Sequence, residues 1–542
     1  MDTRRLLRTG GVALATAALL LSGCSGSDGD GSGEPGEEER RGPGVSEPPA
    51  RSPGDDRAAP TAAPLEPLPE GIPADLEPYY GQKPDWKDCG VSGFQCAKLR
   101  VPLDYAAPDA DEDLELAVTR KKATGPGERL GTLHVNPGGP GGSAVDYVQL
   151  AAGVGYPAPV RARYDIVGMD PRGVARSEPV KCLADEEMDA YTQTDVTPDD
   201  QREIEELVEA FEKFAEGCEK RAGELLGHVS TVEAARDLDV LRAALGDDKL
   251  TYVGASYGTY LGATYAGLFP SRVGRLVLDG AMDPSLTSEE LNRDQTAGFD
   301  TALTAFLADC VKRRDCPLGT EDPEDAGRKL GDFLKRLDGR PLETGQEREL
   351  TESLGTIGVL NAMYTEYYWP KLRSALTSAL DGDGAELLAL ADDYYERDPD
   401  GSYGNIMYAN AAVNCIDLPP PFSSPAEAKR AVADFRKASP VFGRSFAWAA
   451  LNCAYWEPQP TGEPHRIEAE GAAPILVLGT TRDPATPYKW AEGLAGQLSS
   501  ATLLTYDGDG HTAYVRGSDC VDSAVNAYLL RGEVPEKGTK CA

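Results

Sequence analysis

Six short apolar runs recur along the chain, at 130–135, 164–169, 250–253, 275–278, 474–478 and 501–506, and most are followed by a turn rich in Gly or Asp. Runs of four to six apolar residues bounded by turns read as strands buried on both faces. Stretches with helical spacing separate them, so the pattern predicts an α/β fold: a mostly parallel sheet with helices on both faces. The helix before 250–253 is well marked. Ser230-x-x-Glu233 has the spacing of a capping box, and Ala234, Leu238, Leu241 and Leu245 share one face.

The run at 250–253 leads into Gly254-Ala255-Ser256-Tyr257-Gly258, the one G-x-S-x-G in the chain, and a helical stretch follows over 259–269. A serine on a sharp strand-to-helix turn is exposed as a nucleophile, and small residues two before and two after let the backbones touch. Such a serine needs a base, and the base an orienting acid, in the chain order Ser, Asp or Glu, His. Of the four histidines (134, 228, 465 and 511) two follow Ser256. His465 lies in a charged, Pro-rich stretch with no strand before it. His511 follows the run at 501–506 through Asp507-Gly-Asp509-Gly, so His511 is the expected base. Asp483, just past the run at 474–478, is the expected acid; Asp507 and Asp509 are rivals, but stand too near His511 in sequence to reach it from the other side. The oxyanion formed on attack requires two N–H donors, expected from Tyr257 and from Gly139 in the loop Asn136-Pro-Gly-Gly-Pro-Gly-Gly-Ser143.

The 542 residues suffice for one large domain with insertions or for two domains. A formal charge of −35 argues against nucleic-acid binding and against adsorption on anionic lipid through a basic patch. Arg4, Arg5 and Arg8 precede an apolar run that ends Leu21-Ser-Gly-Cys24. Residues 1–23 therefore read as a signal peptide, with twin-arginine export also open. The ending resembles a bacterial lipobox, which implies lipidation of Cys24, anchoring at the outer face of the cell membrane, and an exported protein that is also open to release. Residues 24–75 are rich in Gly, Ser, Pro, Glu and Asp and are expected to form a disordered tether. Ten further cysteines in an exported chain point to disulfides. Sequence leaves connectivity open, although order suggests neighbours: Cys89 with Cys96, Cys182 with Cys218, Cys310 with Cys316, Cys415 with Cys453 and Cys520 with Cys541. Zinc is the alternative use, but no C-x-x-C or His-rich cluster exists, so neither a metal nor a cofactor is expected.

Five motifs in order, Asn-Pro-Gly-Gly-Pro-Gly-Gly-Ser (136–143), Asp-Pro-Arg-Gly-Val-Ala-Arg-Ser (170–177), Gly-Ala-Ser-Tyr-Gly (254–258), Arg-Asp-Pro-Ala-Thr-Pro (482–487) and Gly510-His511, resemble those of secreted bacterial tripeptidyl aminopeptidases. These are α/β-hydrolase serine peptidases related to prolyl aminopeptidases. Pro137 stands where the prolyl enzymes carry His before Gly-Gly-Pro-Gly, which favours the tripeptidyl branch. The resemblance implies a hydrolase core over 76–285 and 471–542, with an inserted, largely helical cap over 286–470 that restricts entry to chain ends. It also implies peptide substrates with a free amino terminus, which require a carboxylate for the α-ammonium. Asp417, in Val-Asn-Cys-Ile-Asp (413–417), and Glu178 are the candidates. Tyr364, Tyr367, Tyr368 and Trp369 are candidates for a peptide pocket or for core. The rival readings are a hydrolase of non-peptide esters or amides and a non-catalytic solute-binding lipoprotein.

Overall fold

The computed structural model describes residues 62–109, 112–125 and 127–542; the signal segment, Cys24 and the tether as far as residue 61 lie outside them. Eight strands form the body of one sheet: β1 Gln95–Pro102, β2 Asp113–Lys121, β3 Gly131–Asn136, β4 Tyr164–Met169, β5 Leu250–Ala255, β6 Val273–Asp279, β7 Ile475–Arg482 and β8 Ala501–Asp509. Their spatial order is β8-β7-β6-β5-β3-β4-β2-β1, with two-residue strands Lys87–Asp88 and Lys540–Cys541 at the edges. From β4 to β8 every pairing is parallel, while β2 runs antiparallel to both β4 and β1. All six apolar runs are therefore strands of the parallel part.

Two-residue periodicity splits each central strand between two cores. Leu276, Leu278, Ile475 and Val477 pack on one face with the helix Tyr257–Leu268. Val277, Leu476, Leu478 and Leu504 pack on the other, with Val521, Val525 and Leu529 of the helix Asp519–Arg531. The helix predicted after Ser230 runs Thr231–Ala244, and the Ser230 side chain accepts from the Glu233 N–H.

Between β6 and β7 the chain is largely helical and holds an apolar core of its own around Phe306, Leu330, Phe333, Leu360 and Leu376. Its helix Ile406–Asp417 is tied to the hydrolase core at both ends. Asn405, at its start, accepts from the Ala175 N–H at 2.7 Å and donates to the Gly173 carbonyl at 2.8 Å. Asp417, at its end, accepts from the Thr231 N–H at 2.7 Å and from the Thr231 hydroxyl at 2.6 Å. Disulfides join the five sequence-neighbour pairs, including Cys415–Cys453 within this insertion and Cys182–Cys218 outside it.

The expectation of a tether reaching residue 75 is corrected for its last part. Ala63–Pro64 pairs in parallel with His465–Arg466, and the N–H groups of Leu65 and Leu68 donate to the carbonyls of Arg466 and Leu268. Two leucines that pack on the core repay the ordering that a Pro-rich stretch otherwise resists. Among the described residues no helix is long and apolar enough to cross a membrane.

Burial pushes the Asp417 carboxyl up to about 7, against the pull of its two bonds from Thr231. A raised folded-state value means that the native protein holds a proton the unfolded chain releases, so this group's contribution falls as the pH rises from about 4 to about 7. Asp417→Asn lacks that titration. Thermal unfolding across this window should show wild type losing stability relative to the variant, with up to about 4 kcal/mol separating the two ends of the range. Parallel curves would show that Asp417 is ionised throughout.

Candidate active site

Ser256 ends β5 with φ +57° and ψ −126°, a conformation that L-residues avoid. Two close contacts enforce it. A Cβ at Gly254 would lie 2.2 Å from the Gly258 carbonyl oxygen, and one at Gly258 would lie 2.7 Å from that of Asn136. The Ser256 N–H donates to the Asp279 carbonyl at 2.9 Å, which fixes the turn against the end of β6. The Ser256 side chain caps no backbone N–H of the helix that follows.

Aligned strand ends bring Asp483 and His511 to the same edge. Leu478 of β7 pairs with Asp279, and Arg482 pairs with Asp509 of β8. His511 Nδ1 lies 2.8 and 3.0 Å from the two Asp483 oxygens. The same carboxylate accepts from the N–H groups of Ala485, Thr486 and Thr512 at 2.9, 2.9 and 3.0 Å. Asp483 is 2% exposed, so these donors replace the water it has lost. Gly280 follows Asp279, and a Cβ there would be 3.4 Å from His511 Cε1. One residue therefore separates the imidazole from the neighbour of Ser256. The rivals Asp507 and Asp509 are both taken by Arg482, each at 2.8 Å.

In the loop after β3, a Cβ at Gly138 would lie 2.9 Å from both Ser256 Cβ and the Tyr257 nitrogen. The Gly138 N–H is engaged by Asn136 Oδ1 at 2.9 Å, whereas the N–H groups of Gly139 and Tyr257 find no backbone acceptor among the described residues. Buried Asp170 steadies the loop's far end, accepting from the Ser143 hydroxyl at 2.7 Å and the Val145 N–H at 2.9 Å. Arg172 of the same motif is buried in a bidentate pair with Asp237 at 2.7 and 2.8 Å. The 170–177 motif thus serves as scaffold here.

Two side chains at this edge, Thr486 and Asp279, escaped the sequence reading, and a third, Tyr364, was read only as pocket or core. Thr486 Oγ1 stands 3.4 Å from His511 Nδ1. Asp279 accepts from the N–H groups of Ala513 and Tyr514, both at 2.9 Å, and so ties the end of β6 to the segment carrying His511; burial pushes it up to about 6. A polar residue closing an apolar strand is the signal that identified Asp483, and it applied equally to Asp279. Tyr364 accepts the His511 N–H at 2.9 Å through its carbonyl and sets its ring edge-on to the imidazole, 5.7 Å between centres. Of its companions, Tyr367 is 65% exposed and Trp369 joins the apolar core of the insertion.

Neither carboxylate proposed for the α-ammonium stands free at this edge. Asp417 is corrected: both of its oxygens are committed to Thr231, whose hydroxyl in turn lies 2.5 Å from that of Tyr257. Glu178 is exposed, on a residue with φ +50°. Two trios of side chains could hold a cation, Asp104–His228–Glu233 and Asp195–Asp338–Glu352, and neither includes a residue of the Ser256–His511 neighbourhood.

Residues 439–541, which carry Asp483 and His511, match a family model described as TAP-like protein. Over 489 residues the chain is 40% identical to serine protease Hip1 of Mycobacterium tuberculosis, covering 86% of this chain and 92% of that one. Carboxylesterase B of the same organism is 38% identical, over 86% of this chain and 93% of its own length. The tripeptidyl aminopeptidase of Streptomyces coelicolor is 32% identical over 84% of this chain and 86% of its own. At 32–40% identity over more than four-fifths of each sequence, the chain belongs to the tripeptidyl-aminopeptidase-like family of α/β-hydrolase serine hydrolases.

Proposed function

We propose that this serine hydrolase is an exopeptidase that releases short peptides, three residues at a time, from free amino termini. The observation that carries the reading is the buried Asp483–His511 pair beside Ser256, with two backbone N–H groups left without acceptors next to it. In this reading the Ser256 hydroxyl attacks the scissile carbonyl and His511 takes its proton. Asp483 holds the imidazole in the tautomer with hydrogen on Nδ1 and stabilises the imidazolium. The oxyanion is received by the N–H groups of Tyr257 and Gly139. His511 then protonates the departing amine as the C–N bond breaks, leaving an acyl-enzyme. Water, deprotonated by His511, releases the peptide acid and restores the serine.

Peptide substrates are supported by relatives named as a serine protease and as a tripeptidyl aminopeptidase. A relative named carboxylesterase B favours the second reading, an esterase or amidase acting on non-peptide substrates. The lipobox-like ending at Cys24 supports placement at the outer face of the membrane through acyl chains.

Ser256→Ala should lower kcat by at least about four orders of magnitude without altering the unfolding midpoint, and Asp483→Asn by about 10⁴ through the wrong imidazole tautomer. Undiminished turnover by the serine variant would reject the nucleophile. Tripeptide anilides with a free amino group should be cleaved far faster than their acetylated counterparts, while equal rates would favour the second reading. Palmitate labelling in cells should be lost in Cys24→Ala, with the protein recovered from the medium; labelling retained there would refute the anchor.

A further inference from the structure

A second anomaly of charge lies in the insertion. Glu396 follows the helix Ala385–Tyr395 and takes the left-handed conformation, φ 51° and ψ 44°, where a helix ordinarily ends on glycine. Its side chain is partly buried, and its carboxylate has no hydrogen bond and no ion pair within the described residues. Burial, with Asp146 and Asp398 as like-charged neighbours, pushes it up to about 7. The arginine next to it in the chain and the one beside Asp146 are committed elsewhere. Arg397 turns to Asp189 at 2.6 and 2.9 Å, and Arg176 is spent on Asp146 at 2.8 and 3.0 Å. Exposed Glu178 poses no such problem, because water solvates it. A partly buried carboxylate that no cation of the chain has taken is open to one from outside the chain.

Its place in the fold says which cation. The Gly404 N–H donates to the Glu396 carbonyl at 3.0 Å, and a Cβ at Gly404 would lie 2.3 Å from Glu396 Oε2, so the carboxylate rests over a residue that has no side chain. Two residues on, the Ile406 carbonyl packs against Gly141, where a Cβ would be 2.6 Å from it, and Asn410 donates to the Pro140 carbonyl at 3.2 Å. Gly141 belongs to the same loop as Gly138, which touches Ser256. Asp146, the like-charged neighbour, lies in the short helix that this loop starts. The carboxylate thus stands where the insertion meets the loop beside the nucleophile.

We infer that Glu396 receives the α-ammonium of a peptide whose scissile carbonyl lies at Ser256, and so sets the preference for free amino termini. An extended tripeptide spans about 10 Å, so one that leaves Ser256 along the 138–142 loop carries its amino group toward the insertion. The assignment rests on the exopeptidase reading above and names the residue behind its specificity. An ammonium brought to this site supplies the ion pair that the fold withholds.

The test compares free and acetylated tripeptide anilides on wild type, Glu396→Gln and Glu396→Asp. The ratio of kcat/KM for free over acetylated substrate should fall at least tenfold in Glu396→Gln, through KM rather than kcat, and Glu396→Asp should restore part of it. The unfolding midpoint of Glu396→Gln should equal or exceed that of wild type, because an uncompensated charge has been removed. A free tripeptide should raise the midpoint of wild type but not that of the glutamine variant. If wild type prefers the free peptide and Glu396→Gln keeps that preference, the assignment is overturned and the exopeptidase reading stands. If wild type makes no distinction, both fall together.

Discussion

Two contacts between backbones, Gly254 against the Gly258 carbonyl and Gly258 against that of Asn136, are the constraint on which the rest depends. Neither tolerates a Cβ. Together they draw the start of the helix Tyr257–Leu268 down onto the ends of β5 and β3 and leave Ser256 no alternative to positive φ. The strain, about 1–3 kcal/mol, is held by a helix whose residues are all buried and by the bond from Ser256 to Asp279. Because Asp279 also accepts from Ala513 and Tyr514, the turn that bears the serine and the segment that bears His511 share one anchor.

Electrostatics divides this edge into satisfied and unsatisfied groups. Asp483 gathers three backbone N–H groups and an imidazole, and Asp170, Asp237 and Asp417 are likewise met by donors. Such saturation marks carboxylates whose work is to hold geometry. Glu396 is the contrast, a partly buried carboxylate without a donor or a cation among the described residues. In a chain with 35 more acids than bases, a shortage of cations is no accident of one loop. Arg397, its neighbour in the chain, pairs with Asp189, and Arg176 pairs with Asp146.

Much of this was legible in the residues. Apolar runs revealed the six parallel strands β3 to β8, because burial on both faces leaves little room for polar alternation. β1 and β2 escaped for the converse reason. Leu99 and Val101 alternate with exposed Arg100, and Leu114 and Leu116 with exposed Glu115, in a sheet edge that faces a core on one side. Ser256, Asp483 and His511 each stand just past a strand, and of these Asp483 and His511 meet in the structure. Asp417 misled, since a motif names a residue but not its partner 186 positions away. Glu396 carries no local signal at all. Its isolation exists only after the insertion has folded onto the 138–142 loop and the neighbouring arginines have chosen their acids. The segment 62–75 reads as coil by composition, and two leucines outweigh that reading.

The helix Ile406–Asp417 is riveted at its start by Asn405, near its middle by Asn410 on Pro140, and at its end by Asp417 and Cys415. A ceiling fastened at three points cannot swing as a lid. The neighbouring helices between 288 and 395 pack an apolar nucleus of their own, and they too are fastened to the site, by the Tyr364 carbonyl on the His511 N–H. Along the loop that bears on the nucleophile the insertion is thus held in place, and its discrimination is that of a gauge rather than of a jaw.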